Sequence, residues 1–151
     1  MESRVELAVQ KFEQGYNCCQ AVFATYADLF GMTEEEALKL SSPMGGGIGR
    51  MREVCGAVSA TALLEGLKEG NTNPVDKEAQ GRTYETVRRI ADRFKEENGS
   101  IICRDLLGIA AKEKSATPSE RTKEYYSSRP CTGLVASAAR IVEEELFADV
   151  Q

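Results

Sequence analysis

The sequence contains no histidine. That single absence removes Ser-His-Asp and Cys-His catalysis and every metal site that needs an imidazole ligand. Long apolar runs are missing as well: none approaches the roughly 18 residues that crossing a bilayer takes, so no membrane-spanning segment is expected. The stretch from Met1 to Gln10 is charged and amphipathic and lacks the layout of a signal peptide, which makes cytoplasm the expected location. Positive charge is in the minority, with 19 Lys and Arg against 24 Asp and Glu and a net charge of −5. The basic residues are also dispersed, which argues against nucleic acid as a partner. No segment alternates apolar and polar residues as a half-buried strand would, and no repeat period is evident.

What remains is a chain of 151 residues, 42% of them hydrophobic, enough to bury a core without disulfide or metal staples. The patterning predicts one all-α domain over 1–151, a bundle of about six helices. A first amphipathic helix runs from Glu2 to Gln14, with Gly15 as its stop. Asn17 is a good N-cap for a second, from about Cys18 to Phe30, closed by Gly31. Thr33 to Glu36 forms a capping box for a short third helix to about Leu40. Pro43 and the glycines Gly45, Gly46, Gly47 and Gly49 then break the chain. After them Val54, Val58, Thr61/Ala62 and Leu64/Leu67 recur at helical spacing. A long helix is expected from Val75 to Glu97, carrying Tyr84, Val87, Ile90/Ala91 and Phe94, with Asn98-Gly99 as its stop. Ser100 can cap a short helix from Ile101 to Leu107. Ile109 to Arg129 reads as an irregular, exposed connection, with Tyr125-Tyr126 anchoring it to the core. Pro130 suits the first turn of a last helix, whose Glu143-Glu144-Glu145 reads as a solvated end.

The chemistry rests on five cysteines: Cys18, Cys19, Cys55, Cys103 and Cys131. No pair has C-x-x-C spacing, which argues against a zinc ribbon or a thioredoxin motif. Cys18, Cys55, Cys103 and Cys131 each fall at or near the start of a separate expected helix, where free N–H groups and the helix dipole favour a thiolate. Arg50 and Arg52 stand close to Cys55 in sequence and would lower its pKa further. The glycine loop, with Arg50, is a candidate for presenting N–H groups to an anionic substrate or cofactor. It has no Walker A lysine and does not fit a dinucleotide fingerprint.

Five ordered segments carry a family resemblance: Y-N-C-C-Q-A-V at Tyr16–Val22, the P-M-G-G-G-I-G-R loop, V-C-G-A-V-S-A at Val54–Ala60, C-R-D-L-L-G at Cys103–Gly108, and Pro130-Cys131. Together they resemble the C-GCAxxG-C-C family of small redox-active proteins, named for four cysteines, the second in a Cys-Gly-Ala-x-x-Gly segment. The resemblance implies that Cys18, Cys55, Cys103 and Cys131 are the functional four, with Cys19 an extra. Ala60 departs from the pattern, standing where the segment's last glycine would be. Three functions follow as expectations. The four cysteines perform dithiol–disulfide exchange with a redox partner or small-molecule substrate, a low-pKa Cys55 or Cys18 attacking. Or they ligate zinc or an iron–sulfur cluster as thiolates. Or the chain is a non-catalytic helical scaffold. A homodimer is expected from the apolar helix faces.

Overall fold

The computed structural model describes residues 1–108 and 114–149. They form eight α-helices and no strands: α1 (Val5–Glu13), α2 (Cys18–Tyr26), α3 (Glu34–Ser41), α4 (Gly56–Glu69), α5 (Lys77–Asn98), α6 (Cys103–Leu107), α7 (Lys123–Ser128) and α8 (Cys131–Leu146). The all-α expectation holds. One helix arises where none was expected: α7, begun by the Thr122 side chain accepting from the Tyr125 N–H. It lies within the supposed irregular connection, of which 109–113 falls outside the described residues.

The ends follow local chemistry. Asn17 caps α2 in a full capping box with Gln20, and Thr33 accepts from the Glu36 N–H at the start of α3. Gly31, Gly99 and Gly108 all turn left-handed as helix stops. The second helix ends earlier than its apolar pattern suggests, at Tyr26, and continues as a 3-10 turn from Ala27 to Phe30.

Helix α2 is the centre of the molecule. Cys19, Ala21, Val22, Phe23 and Tyr26 are all fully buried, and the helix packs against α1, α3, α4 and α8. Burying a side chain the size of Phe23 contributes about 1.5–3 kcal/mol. Helix α8 closes the other side with Val135, Ala138, Ile141 and Val142 inward. Tyr26 stacks on Phe147, ring centroids 5.6 Å apart. The α4 face differs from the expected one. Leu67 is exposed, whereas Glu65 is fully buried. Ala60 is fully buried too, so its methyl is taken up by the core. On α5, Ile90 and Phe94 face inward as expected, while Tyr84 stands in solvent.

Two irregular segments position the cysteine helices. Ser42–Met44 is a 3-10 turn, and then Gly46, Gly47, Ile48, Gly49 and Arg50 all take positive φ, between 54° and 71°. The result is a left-handed coil, tied by the Gly49 N–H to Pro43 O at 2.9 Å and the Glu53 N–H to Gly47 O at 2.9 Å. Ile48 is β-branched, and such residues resist this conformation at about 1–2 kcal/mol each. Next, residues 52–55 pair antiparallel with 101–104 around the bridge of Val54 with Ile102. The Cys55 N–H donates to Ile101 O at 2.8 Å, and the Cys103 N–H to Glu53 O at 2.6 Å. This crosslink sets the starts of α4 and α6 side by side.

Candidate functional site: a cavity of thiols and guanidiniums

Each of the four singled-out cysteines sits at a helix start. Cys18 opens α2, Cys103 opens α6 and Cys131 opens α8, while Cys55 is the N-cap of α4. All four line one cavity of about 50 Å³, between the start of α2, the glycine loop, α6 and the α7–α8 turn. Its size admits a few waters or one small chemical group, at roughly 10–15 Å³ per water. The five thiols are all free. Cys19 belongs to the core instead, fully buried on the other face of α2, and burial drives its thiol pKa far up.

Cys18 and Cys55 form a hydrogen-bonded sulfur pair. The Cys55 thiol donates to Cys18, and that bond is the largest influence drawing the Cys18 pKa down from 9.0 to about 6. Burial opposes it, and the N–H groups of Gly46, Gly56 and Cys19 reinforce it. Cys55 is pushed well up, because it holds the shared proton, is buried, and faces the Cys18 charge. Gly56 makes the pairing sterically possible. A Cβ there would lie 2.6 Å from Cys18 Sγ and 3.0 Å from Met44 O, so only glycine lets α4 begin this close to α2.

The far wall is different. Arg52, itself buried, directs Nη1 at Cys103 Sγ, 3.6 Å away. Burial nevertheless pushes the Cys103 thiol up, with Arg52 opposing. Cys131 is raised to about 11 by burial and by the nearby Cys18 and Cys103 sulfurs, with Arg129 and Arg121 pulling it down. One thiol of the four is therefore anionic at neutral pH, and the other three keep their protons.

The sequence offered Cys55 or Cys18 as the activated sulfur, with Arg50 and Arg52 as support for Cys55. Both arginines sit at positive φ, and neither is among the main influences on the Cys55 thiol. Arg50 reaches Ser115 O at 3.0 Å, Thr117 O and Ser119 Oγ at 3.2 Å. Its part is to tether the 115–119 segment. Of the loop glycines proposed to hold a ligand, Gly46 reaches the cavity and Gly45, Gly47 and Gly49 do not. Gly45 backs the Asn17 side chain, which a Cβ would meet at 2.4 Å. Arg121, Arg129 and Tyr125 also line the cavity. Of these only Tyr125 drew attention in the sequence, as an anchor. The adjacency Arg129-Pro130-Cys131 was the available signal for Arg129. Tyr126 does anchor α7, edge-on to Phe12 at 5.8 Å.

Among the described residues no group of three or more His, Cys, Asp or Glu side chains is placed to hold a metal ion. The four sulfurs share a cavity without converging as a ligand set. Nor is any helix among the described residues long and apolar enough to cross a membrane.

The fold and the cavity together define a class: a helical protein that gathers thiols at helix starts, one of them ionised by its neighbours. Residues 16–145 match the family model described as "Putative redox-active protein (C_GCAxxG_C_C)", and the chain belongs to that family. No curated protein and no solved structure matches the chain.

Proposed function

We propose that this chain is a dithiol–disulfide exchange protein in which Cys18 attacks and Cys55 resolves. The observation that supports it is the sulfur pair: a half-buried Cys18 with its pKa near 6 and a protonated Cys55 bonded to it. The Cys18 thiolate attacks one sulfur of a disulfide R–S–S–R′. A Cys18–S–R bond forms, the substrate S–S bond breaks, and R′S⁻ leaves with the electron pair and takes a proton from solvent. Conversion of Cys18 to a neutral mixed disulfide removes the negative charge that had raised the Cys55 pKa. Cys55 then loses its proton, attacks Cys18 Sγ, and expels RS⁻ as the Cys18–Cys55 disulfide forms. Two protein thiols are oxidised and one substrate disulfide is reduced to two thiols. An external dithiol resets the pair by the reverse exchange, and Cys103 and Cys131 line the same cavity. Free thiols of this kind belong in a reducing compartment such as the cytoplasm.

The test uses Cys55→Ser protein and a neutral disulfide under anaerobic conditions. A mixed disulfide accumulating on Cys18, seen by peptide mass mapping, is the expected result, and the Cys18→Ser protein should form none. Adducts on Cys103 or Cys131 alone would overturn the assignment. Zinc or iron retained at one equivalent by anaerobically purified protein would favour the thiolate–metal alternative.

A further inference from the structure

The cavity has an unusual charge for this chain. Although the net charge is −5, the described residues of the cavity wall include Arg52, Arg121 and Arg129 and, among those residues, no Asp or Glu. The Cys18 thiolate offsets one of those positive charges and leaves the remainder. Phe12, Leu106, Leu107 and Leu134 complete the wall, and such apolar surroundings strengthen attraction for an incoming anion.

The three guanidiniums are not equivalent. Arg52 serves the Cys103 sulfur. Arg121 is committed to the backbone, donating to Phe12 O and Tyr16 O at 2.9 Å each, and it lies 4.5 Å from the Phe12 ring centroid. Arg129 has its guanidinium carbon 4.7 Å from the Tyr125 ring centroid, and among the described residues no carboxylate pairs with it. Stacking fixes the plane of a guanidinium and leaves its in-plane N–H edge available, which is the edge that binds a carboxylate in bidentate fashion. Arg129 is also electrostatically in touch with the Cys131 and Cys103 sulfurs, so an anion bound to it lies beside the thiol wall.

Resting on the exchange reading above, we infer that the disulfide this cavity accepts is a low-molecular-weight one whose sulfur-bearing arm carries a carboxylate, and that Arg129 binds that carboxylate. A cavity of about 50 Å³ takes one short arm and excludes a folded polypeptide. Carboxylate capture in the cavity that Cys18 also lines holds the substrate disulfide beside the thiols and offsets the repulsion between two anions. Arg129 acts as a specificity-determining residue, and the electron transfer remains between sulfurs as written above.

The experiment measures anaerobic rate constants of the full chain with three matched disulfides: dithiodipropionate, hydroxyethyl disulfide and cystamine, which are anionic, neutral and cationic. Each rate is divided by that of a simple free thiol with the same disulfide, which removes intrinsic reactivity. The expected anionic-to-neutral ratio is about 10 at low salt, shrinking at high salt as screening sets in. Arg129→Gln should bring that ratio close to one, with Arg129→Lys between, since lysine keeps the charge without the fork. Equal normalised rates for all three disulfides, or a preference for cystamine, overturn this inference and leave the exchange reading intact. A preference that persists unchanged in Arg129→Gln overturns the role of Arg129. Failure of the wild-type chain to react with any of the three overturns the exchange reading beneath.

Discussion

Replacing Cys55 by alanine isolates the bond that ionises Cys18. Hydrogen bonds to a charged acceptor are worth about 1.5–3 kcal/mol, and 1.36 kcal/mol corresponds to about one pKa unit. Cys55→Ala should therefore raise the Cys18 pKa from about 6 by roughly 1–2 units, the N–H groups of Gly46, Gly56 and Cys19 retaining the rest. Cys55→Ser keeps a donor and should shift it much less. The readout is the pH dependence of iodoacetamide alkylation at Cys18, followed by peptide mapping. Lowering a thiol's pKa by about 3 also makes its thiolate about 20-fold less nucleophilic, taking a Brønsted slope of about 0.45. Near pH 7 the net advantage over an ordinary thiol is thus only about 4-fold, whereas near pH 5.5 it is about 35-fold. The acid limb is where the effect is visible. A wild-type midpoint above about pH 8, or one that does not move in Cys55→Ala, would refute the reasoning.

Three further outcomes follow. Gly56→Ala brings a methyl within 2.6 Å of Cys18 Sγ, so it should cost about 1–3 kcal/mol in urea unfolding and raise the Cys18 alkylation midpoint; a neutral effect on both would show that the helices approach less tightly than described. Glu65 is fully buried, and burial and its bond to Glu69 raise its carboxyl from 4.5 to about 8, against the pull of Lys68 and Arg89. Among the described residues its oxygens find no donor, which is the pattern of a carboxylic acid keeping its proton. Because the folded pKa is raised, its contribution to stability is complete below pH 4.5 and is lost as pH rises toward about 8, a loss on the order of 4 kcal/mol. Glu65→Gln should flatten that slope in urea titrations at several pH values, and parallel slopes for mutant and wild type would contradict it. Cys19→Ser places a hydroxyl in the core at about 1–3 kcal/mol while leaving the Cys18 pH profile unchanged, as alkylation will show.

The local features of this fold were legible because they are written within a few residues. Asn17, Thr33 and Pro130 mark helix starts, Gly31 and Gly99 mark stops, and each of the four cysteines falls at the start of its own helix. The electrostatic assignment was legible only as a choice between Cys18 and Cys55. Adjacency put Arg50 and Arg52 near Cys55, but positive φ at both residues sends one side chain to the 115–119 segment and the other to Cys103. The thiol that does control Cys18 comes from a helix start 37 positions away in sequence, brought near by α2–α4 packing. Periodicity likewise treated Leu67 as core and passed over Glu65, because a 3.6-residue repeat cannot tell which flank of an apolar stripe meets α5 and α8. Short α7 escaped for a simpler reason: six polar and aromatic residues carry no period to detect.

The crosslink between residues 52–55 and 101–104 has a mechanical consequence. Cys55 and Cys103 are fastened to each other through main-chain bonds at both of their own N–H groups, not through side-chain packing alone. Neither helix start can slide without dragging the other, so the two sulfurs move as points on one lever. Arg52 sits on the same lever, its carbonyl held by the Arg104 N–H and its guanidinium on Cys103. In the proposed exchange, a displacement of Cys55 toward Cys18 would thereby be delivered to Cys103 on the opposite wall of the cavity.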